Sequence, residues 1–256
     1  MIVPDLFQLI SILLVLVFLF LGFKVLELKW SYKISKPHKW EEAIKQGGIS
    51  YNLKKLERTY RDKVRFYTFW LQIERLKNEK IPGAFAELGV FQGETANIIH
   101  EMDTTRILHL FDTFEGFDKQ DLLLENSTED KFSTSNFSNT SLEEVKKYID
   151  GNENVHFHSG YFPESAKNLN ETNYAFVHLD ADLYKPTLAA LNYFYPKLSV
   201  GGVIIIHDYN HTWDGLRKAI DEFVQSIPET IVEVADWQGS VMIVKNKFAA
   251  KNRVEY

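Results

Sequence analysis

The chain predicts an α/β fold, a mostly parallel sheet with helices on both faces, preceded by one transmembrane helix. Three observations predict it. From residue 84 onward, short apolar runs rich in β-branched and aromatic residues alternate with stretches of helical length, the rhythm of parallel strands joined by crossover helices. Two of these runs, at 174–179 and 203–206, are almost wholly apolar and read as strands buried on both faces. Residues 6–23 carry no charge, and only Gln8, Ser11 and Gly22 interrupt their Leu, Val, Ile and Phe.

At about 1.5 Å per residue the 6–23 run nearly crosses a hydrocarbon core of about 30 Å, and Val25 and Leu26 extend it. A cleaved signal peptide would want a basic start and a small-residue cleavage site; residues 1–5 carry only an acid, Asp5. Lys24, Lys29, Lys33, Lys36 and Lys39 all follow the span, so the positive-inside rule turns the body toward the cytoplasm. Residues 1–26 are thus read as a single-pass membrane anchor and 27–50 as a juxtamembrane linker. The linker's Trp30, Tyr32 and Trp40 either meet lipid headgroups or pack. Residues 51–256 form one α/β domain.

Within that domain, Leu56, Tyr60, Val64, Tyr67 and Leu71 have helical spacing and predict a helix over 53–77. Strands follow at 84–91, 106–112, 155–158, 174–180 and 203–208, with a closing pair at 231–234 and 240–244. Helices are expected at 94–102, from Pro163, at 186–195 and at 213–227. One segment breaks the rhythm. Residues 113–154 are rich in Ser, Thr, Asn, Asp and Glu, with a capping box at Ser141 and Glu144 opening a short helix to Ile149. A polar insertion this long is more often a lid or substrate loop than a plain connection. Its Asn-x-Ser/Thr triplets, beginning at Asn126, Asn136 and Asn139, read as accidents of composition in a cytoplasmic body.

Composition removes several functions. A net charge of −6 argues against nucleic acid, which needs clustered Lys and Arg. The absence of cysteine removes disulfides, thiolate catalysis and Cys-ligated zinc.

The acids that end the strands carry the chemistry. Asp180 and Asp208 close two apolar runs, and carboxyl ends of parallel strands are where open α/β sheets hold ligands. If those strands are neighbours the two carboxylates converge, and they repel unless a cation or a shared proton separates them. The first strand-to-helix turn, Glu87-Leu-Gly-Val-Phe-Gln-Gly93, is E-x-G-x-x-x-G and lacks the G-x-G-x-x-G of nicotinamide enzymes. Gly89 allows a tight turn and Gly93 lets the helix start close to the strand. Glu87 beside the turn suits a ligand with a cationic end, such as S-adenosylmethionine, and Asp112 is placed to accept both ribose hydroxyls.

Six motifs, in order, carry a resemblance: Glu87-Leu-Gly-Val, Phe111-Asp-Thr-Phe-Glu-Gly-Phe117, Gly160-Tyr-Phe-Pro-Glu-Ser165, His178-Leu-Asp-Ala-Asp-Leu-Tyr184, Tyr195-Pro-Lys-Leu-Ser-Val-Gly-Gly202 and His207-Asp-Tyr209. Over roughly residues 83–244 the chain resembles the macrocin O-methyltransferase family. The resemblance implies a class I methyltransferase (Rossmann-like) fold, S-adenosylmethionine as donor, a divalent metal such as Mg²⁺, and methylation of a sugar hydroxyl. It further implies that Glu87, Gly89, Gly93, Asp112 and Thr113 contact the donor, that Ser159 and Gly160 border its adenine, and that Asp180 and Asp208 hold the metal. The chain departs from some relatives in carrying His207 where they have an acid, and its anchor lies outside the family pattern.

A sugar hydroxyl is a poor nucleophile near neutral pH. Binding to a divalent cation lowers its pKa and fixes it in line with the methyl group. Asp180 or His207 then takes the proton, with Asp180 favoured because strand alternation turns His207 elsewhere. His178 reads as a structural histidine, and His156 with His158 lack a third convergent ligand for a metal. Asp182 either binds metal or caps the next helix. Tyr184, Tyr209 and Trp213 stack on a sugar or simply pack. A rival reading takes Asp180-Ala-Asp182 as the D-x-D clamp of a nucleotide-sugar glycosyltransferase. A lipid-linked glycan acceptor would account for the anchor, and self-association as a homo-oligomer is left open.

Overall fold

The structure, a computed structural model, describes residues 5–34, 36–123, 125, 133–171, 173–212 and 214–246, with the backbone alone at 28–34. The chain divides into two units, Met1–Ile49 and Ser50–Tyr256. In the first, helix α1 (Leu6–Ile34) is followed by α2 (His38–Lys45). Residues 6–27 of α1 are apolar enough to cross a membrane by length and composition, and at about 1.5 Å per residue they measure about 33 Å. The linker expected over 27–50 is largely helical. No Pro or Gly interrupts the sequence between Gly22 and Pro37, so nothing stops α1 earlier.

The second unit begins with α3 (Tyr51–Thr59) and α4 (Lys63–Asn78). The single helix expected over 53–77 is therefore two. Asp62 takes an extended conformation and accepts a hydrogen bond from the Arg65 amide at 3.0 Å. This side-chain cap starts a new helix where periodicity alone continues the old one.

The sheet consists of β1 (Ala84–Leu88), β2 (Leu108–Asp112), β3 (Val155–Ser159), β4 (Tyr174–Leu179), β5 (Leu198–Ile206), β6 (Val232–Glu233) and β7 (Val241–Val244). Its order is β3-β2-β1-β4-β5-β7-β6, and β7 alone is reversed, antiparallel to both β5 and β6. The helices between them are α5 (Glu94–Met102), α6 (Lys119–Leu122), α7 (Leu142–Ile149), α8 (Tyr184–Lys197) and α9 (Asp214–Val224). Phe176 meets Phe85 and Phe69 of α4 on one face, while Phe111 and Tyr174 meet Phe194 of α8 on the other. Both faces of the central strands are thus covered, and β1 and β4 are buried along their whole length. The strand order reverses between β1 and β4, so a crevice opens beyond their carboxyl ends.

The capping box is formed: Ser141 Oγ accepts from the Glu144 amide at 3.3 Å and donates to the Glu144 carboxylate at 2.8 Å. The helix expected from Pro163 is only one short turn at Glu164–Ala166. The helix expected from Trp213 is described from Asp214; Trp213 itself lies outside the described residues, as does Asn126.

Candidate active site at the carboxyl ends of the strands

A cleft of about 310 Å³ lies over the strand-order switch. One arm is bounded by Gly89, Asp112, Thr113 and Gly160, and the other by Asp180, His207 and Asp208. Seven of the ten residues singled out in the sequence therefore share one volume. Glu87, Gly93 and Ser159 do not line it.

Gly89 has φ +87°, and a Cβ there would lie 1.9 Å from the Asp180 carbonyl oxygen. The two arms are in contact through backbone at this point, which only glycine permits. Asp112 has a structural task that its position in the sequence does not announce. One carboxylate oxygen accepts from the Val90 and Phe91 amides at 2.7 and 2.9 Å, and the other from the Phe114 amide at 2.7 Å. Its lone pairs are thus largely committed to holding two turns together, with room for fewer ribose hydroxyls than expected. The Thr113 hydroxyl donates to the Gly116 carbonyl at 2.7 Å and fixes the following turn.

In the second arm, His207 Nδ1 lies 3.0 Å from Asp180 Oδ1 and 3.0 Å from Asp208 Oδ1. The alternation argument that turned His207 away fails because β5 ends at Ile206 and Asp208 has φ +62°; beyond the strand, period two no longer applies. Burial works against ionising Asp180, yet the adjacent His207 outweighs it and holds the carboxyl below its usual range. The same contact outweighs burial at His207 and raises it. Asp182 is buried, and burial together with Asp180 and Asp208 pushes its carboxyl well above the usual range. It does not cap the next helix. The Tyr184 amide at the start of α8 donates instead to Glu125 at 2.7 Å.

Glu87 departs from its expected place. Its carboxylate is fully buried and lies 2.8 Å from His178 Nδ1, on the face occupied by Phe69. Burial, then the charges of Asp180 and Asp112, raise Glu87 well above its usual range, and burial pushes His178 down to about 3. Both directions favour the uncharged pair over an ion pair. Between about pH 4.5 and 6.5 the unfolded chain holds Glu87 ionised and His178 protonated, the same number of protons, so the pair adds no slope to stability there. Glu87→Gln removes one half. The depressed His178 pKa then acts alone, and stability is expected to fall by about 1.4 kcal/mol per pH unit as pH drops below about 6.5. The cost of neutralising Glu87 is also gone, so the variant should melt above wild type at pH 7. Thermal denaturation from pH 4 to 8 checks this; a variant less stable at pH 7, with no steeper acid loss, would show the pair to be ionic.

The remaining expectations resolve by position. Gly93, at φ +83°, starts α5 and packs against Val145 and Ile149 of α7. Ser159 pairs with Asp112 across β3 and β2 but is exposed outside the cleft. Tyr184 and Tyr209 donate to Glu222 and Asp221, each at 2.6 Å, and pack rather than line the cleft. His158 gains a partner the sequence did not suggest, His109 at 2.9 Å, and burial pushes it down to about 4. Among the described residues, the one cluster whose ligand atoms converge for a metal is Asp180, His207 and Asp208, all within 4.8 Å of one another.

The insertion supplies what sequence reading missed. Phe117 and Phe137 meet edge to face at 5.2 Å, Phe137 meets Phe91 in the same way, and all three line the cleft. Asp121 of α6 accepts from the Tyr161 hydroxyl at 2.6 Å and pairs with Lys185 at 3.2 Å. The phenylalanines at irregular spacing in a polar segment were the available signal.

Fold and cleft together define a class I methyltransferase architecture, with a reversed final strand and the crevice at the β1/β4 switch. The family described as Macrocin-O-methyltransferase (TylF) matches residues 35–243, and the chain belongs to it. Among curated relatives, the 8-demethyl-8-(2,3-dimethoxy-alpha-L-rhamnosyl)-tetracenomycin-C 4'-O-methyltransferase of Streptomyces olivaceus is 27% identical over 59% of this chain and 61% of its own length. The demethyldecarbamoylnovobiocin O-methyltransferase of Streptomyces niveus is 27% identical over 59% of this chain and 62% of its own. The match thus spans about three fifths of the length of these two relatives. The solved structure of the O-methyltransferase NovP superposes with a TM-score of 0.61 at 23% identity, covering 72% of this chain and 81% of that one, a likeness of fold. The D-x-D glycosyltransferase reading falls with the family match.

Proposed function

We propose that the chain is an S-adenosylmethionine-dependent O-methyltransferase that acts on a sugar hydroxyl with the help of Mg²⁺ or another divalent cation. The single observation that carries this reading is one cleft joining the Gly89–Asp112 turn to the Asp180–His207–Asp208 cluster. The residues fit both groups. Gly89 and Gly160 leave the donor arm open to close approach, and Phe91, Phe117 and Phe137 give it an apolar wall. Asp112 has one lone pair left for a ribose hydroxyl, whereas Glu87, buried against His178, would act on the donor only through the turn it supports. Gly93 and Ser159 would act at one remove, by seating α5 and by ending β3.

For the cation, Asp180 and Asp208 supply hard oxygen donors and His207 a nitrogen, and Asp208 Oδ1 is buried without a hydrogen bond. When bound, the donor supplies an electrophilic methyl group, and the metal lowers the pKa of the acceptor hydroxyl. Asp180, hydrogen-bonded to His207, would accept the hydroxyl proton, with His207 the other candidate for that role. The walls of the insertion exclude water from the reacting atoms.

We place α1 in a membrane as a single-pass anchor with the catalytic unit on the cytoplasmic side, on the strength of its uncharged 6–23 run and the lysines after it. A lipid-linked glycan would then lie within reach.

Calorimetric titration with S-adenosylmethionine, followed by labelled methyl transfer to methyl α-rhamnoside with and without chelator, tests the reading. Micromolar donor binding and chelator-sensitive transfer are expected. A protein that binds a nucleotide sugar and ignores S-adenosylmethionine would overturn it.

A further inference from the structure

The loop between β6 and β7 holds an arrangement that methyl transfer itself does not use. Trp237 is 88% exposed, although a tryptophan left in water forgoes more apolar burial than almost any other side chain. It is not a loose end. Its amide donates to Asp62 Oδ2 at 2.8 Å, fastening the loop to the start of α4. The neighbouring Asp236 accepts from the Ser240 amide and hydroxyl, both at 2.5 Å, and its carboxylate lies 3.9 Å from Arg65. Gly239, at φ +74°, is pressed against Asn210, whose amide donates to the Gly239 carbonyl at 3.3 Å. The backbone is pinned on both sides and the indole is held out into solvent.

What lies beside it gives the indole a purpose. Trp237 and Gln238 border a shallow hollow together with Asn210 and Glu233, and Gln238 also lines the main cleft beside Asp208. Asn210 donates to Glu233 at 2.8 Å, and both are exposed at the hollow's edge. Gln238 borders both this hollow and the cleft that holds Asp180 and Asp208, so an acceptor extending past Gln238 would run onto the hollow. A flat aromatic face flanked by an amide and a carboxylate is the chemistry that grips a pyranose ring: C–H groups against the indole, hydroxyls against the polar rim.

We propose that Trp237 is the platform of a second sugar subsite, one ring beyond the methylated sugar, so that the natural acceptor is a glycoside of at least two sugar units. This rests on the sugar O-methyltransferase reading above.

The test uses the full chain with Mg²⁺ and compares methyl α-rhamnoside with a rhamnosyl-rhamnoside disaccharide. Wild type is expected to methylate the disaccharide with a KM about tenfold lower, the scale of one aromatic contact. Trp237→Ala should raise the disaccharide KM to the monosaccharide value with kcat within about twofold, and Trp237→Phe should recover most of the loss. An unchanged melting temperature for both variants excludes a folding cause. If Trp237→Ala leaves the disaccharide KM where it was, or if wild type does not distinguish the two sugars, the subsite is overturned while methyl transfer stands. If wild type binds S-adenosylhomocysteine but methylates neither sugar, the sugar reading itself fails and takes the subsite with it.

Discussion

Asp180→Asn and Asp208→Asn are each expected to lower methyl transfer by about a thousandfold, a barrier increase of about 4 kcal/mol, while S-adenosylhomocysteine affinity stays within about threefold. The Gly89 turn touches Asp180 through backbone and not through its carboxylate, so donor binding has no direct stake in the two side chains. They converge on His207 Nδ1, 3.0 Å from each. Replacing either by an amide removes a negative donor from a site where Mg²⁺ would be held by only a few protein ligands. Asp182→Asn supplies the contrast. Burial and its acidic neighbours work against ionising Asp182, so an amide costs less there than at Asp180 or Asp208, and turnover should stay within about tenfold of wild type. Initial rates with labelled donor across a Mg²⁺ series, paired with calorimetry on each variant, measure all three. Full activity of Asp180→Asn and Asp208→Asn in chelator would end the metal proposal. A collapse of Asp182→Asn equal to theirs would move Asp182 into the metal site.

Gly89→Ala carries the largest expected effect on stability. The added Cβ would stand 1.9 Å from the Asp180 carbonyl oxygen, at φ +87°. Left-handed backbone alone costs an L-residue roughly 1–2 kcal/mol. The clash cannot be relieved by a side-chain rotation, because the partner atom is backbone at the end of β4. Separating the strands there also disturbs the hydrogen bond from the Asp180 amide to the Leu88 carbonyl, 2.9 Å. A total of about 3 kcal/mol or more follows, a loss of roughly 10 °C in melting temperature for a unit this size. Donor affinity should fall with it, since Asp180 and the turn move together. Gly160→Ala is the matched comparison: it has a similarly positive φ, +126°, but its Cβ would meet nothing closer than 3.9 Å. Differential scanning of both variants decides the matter. Equal melting temperatures would mean that the two arms do not meet closely at Gly89.

The strands were legible because burial on both faces writes a continuous apolar run, and β1, β2, β4 and β5 all fall inside the segments expected for them or overlap them. Their neighbourhood was legible only as a condition. The convergence of Asp180 and Asp208 required adjacency of β4 and β5, which the pairing of Leu179 with Ile206 supplies. Errors clustered where local chemistry overrides periodicity. Asp62 splits a helix by capping, and after Pro163 the chain makes only the short turn Glu164–Ala166 before β4.

The sequence by itself determined the α/β architecture, the apolar N-terminal segment, the glycine turn and the identity of the acids that end the strands. Each of these depends on residues adjacent or periodic along the chain. The tertiary structure alone decided what those acids face. Glu87 and Asp112 both end strands beside the same turn, yet one is buried against His178 and the other clamps three backbone amides. His207 enters the site because β5 stops one residue earlier, and the loop that brings Gln238 to the cleft is fastened at Trp237 by Asp62, far away in sequence. Strand alternation says which side chains share a face. Which face meets the ligand, and which partner a buried polar group finds there, is fixed by packing between segments that the linear order keeps apart.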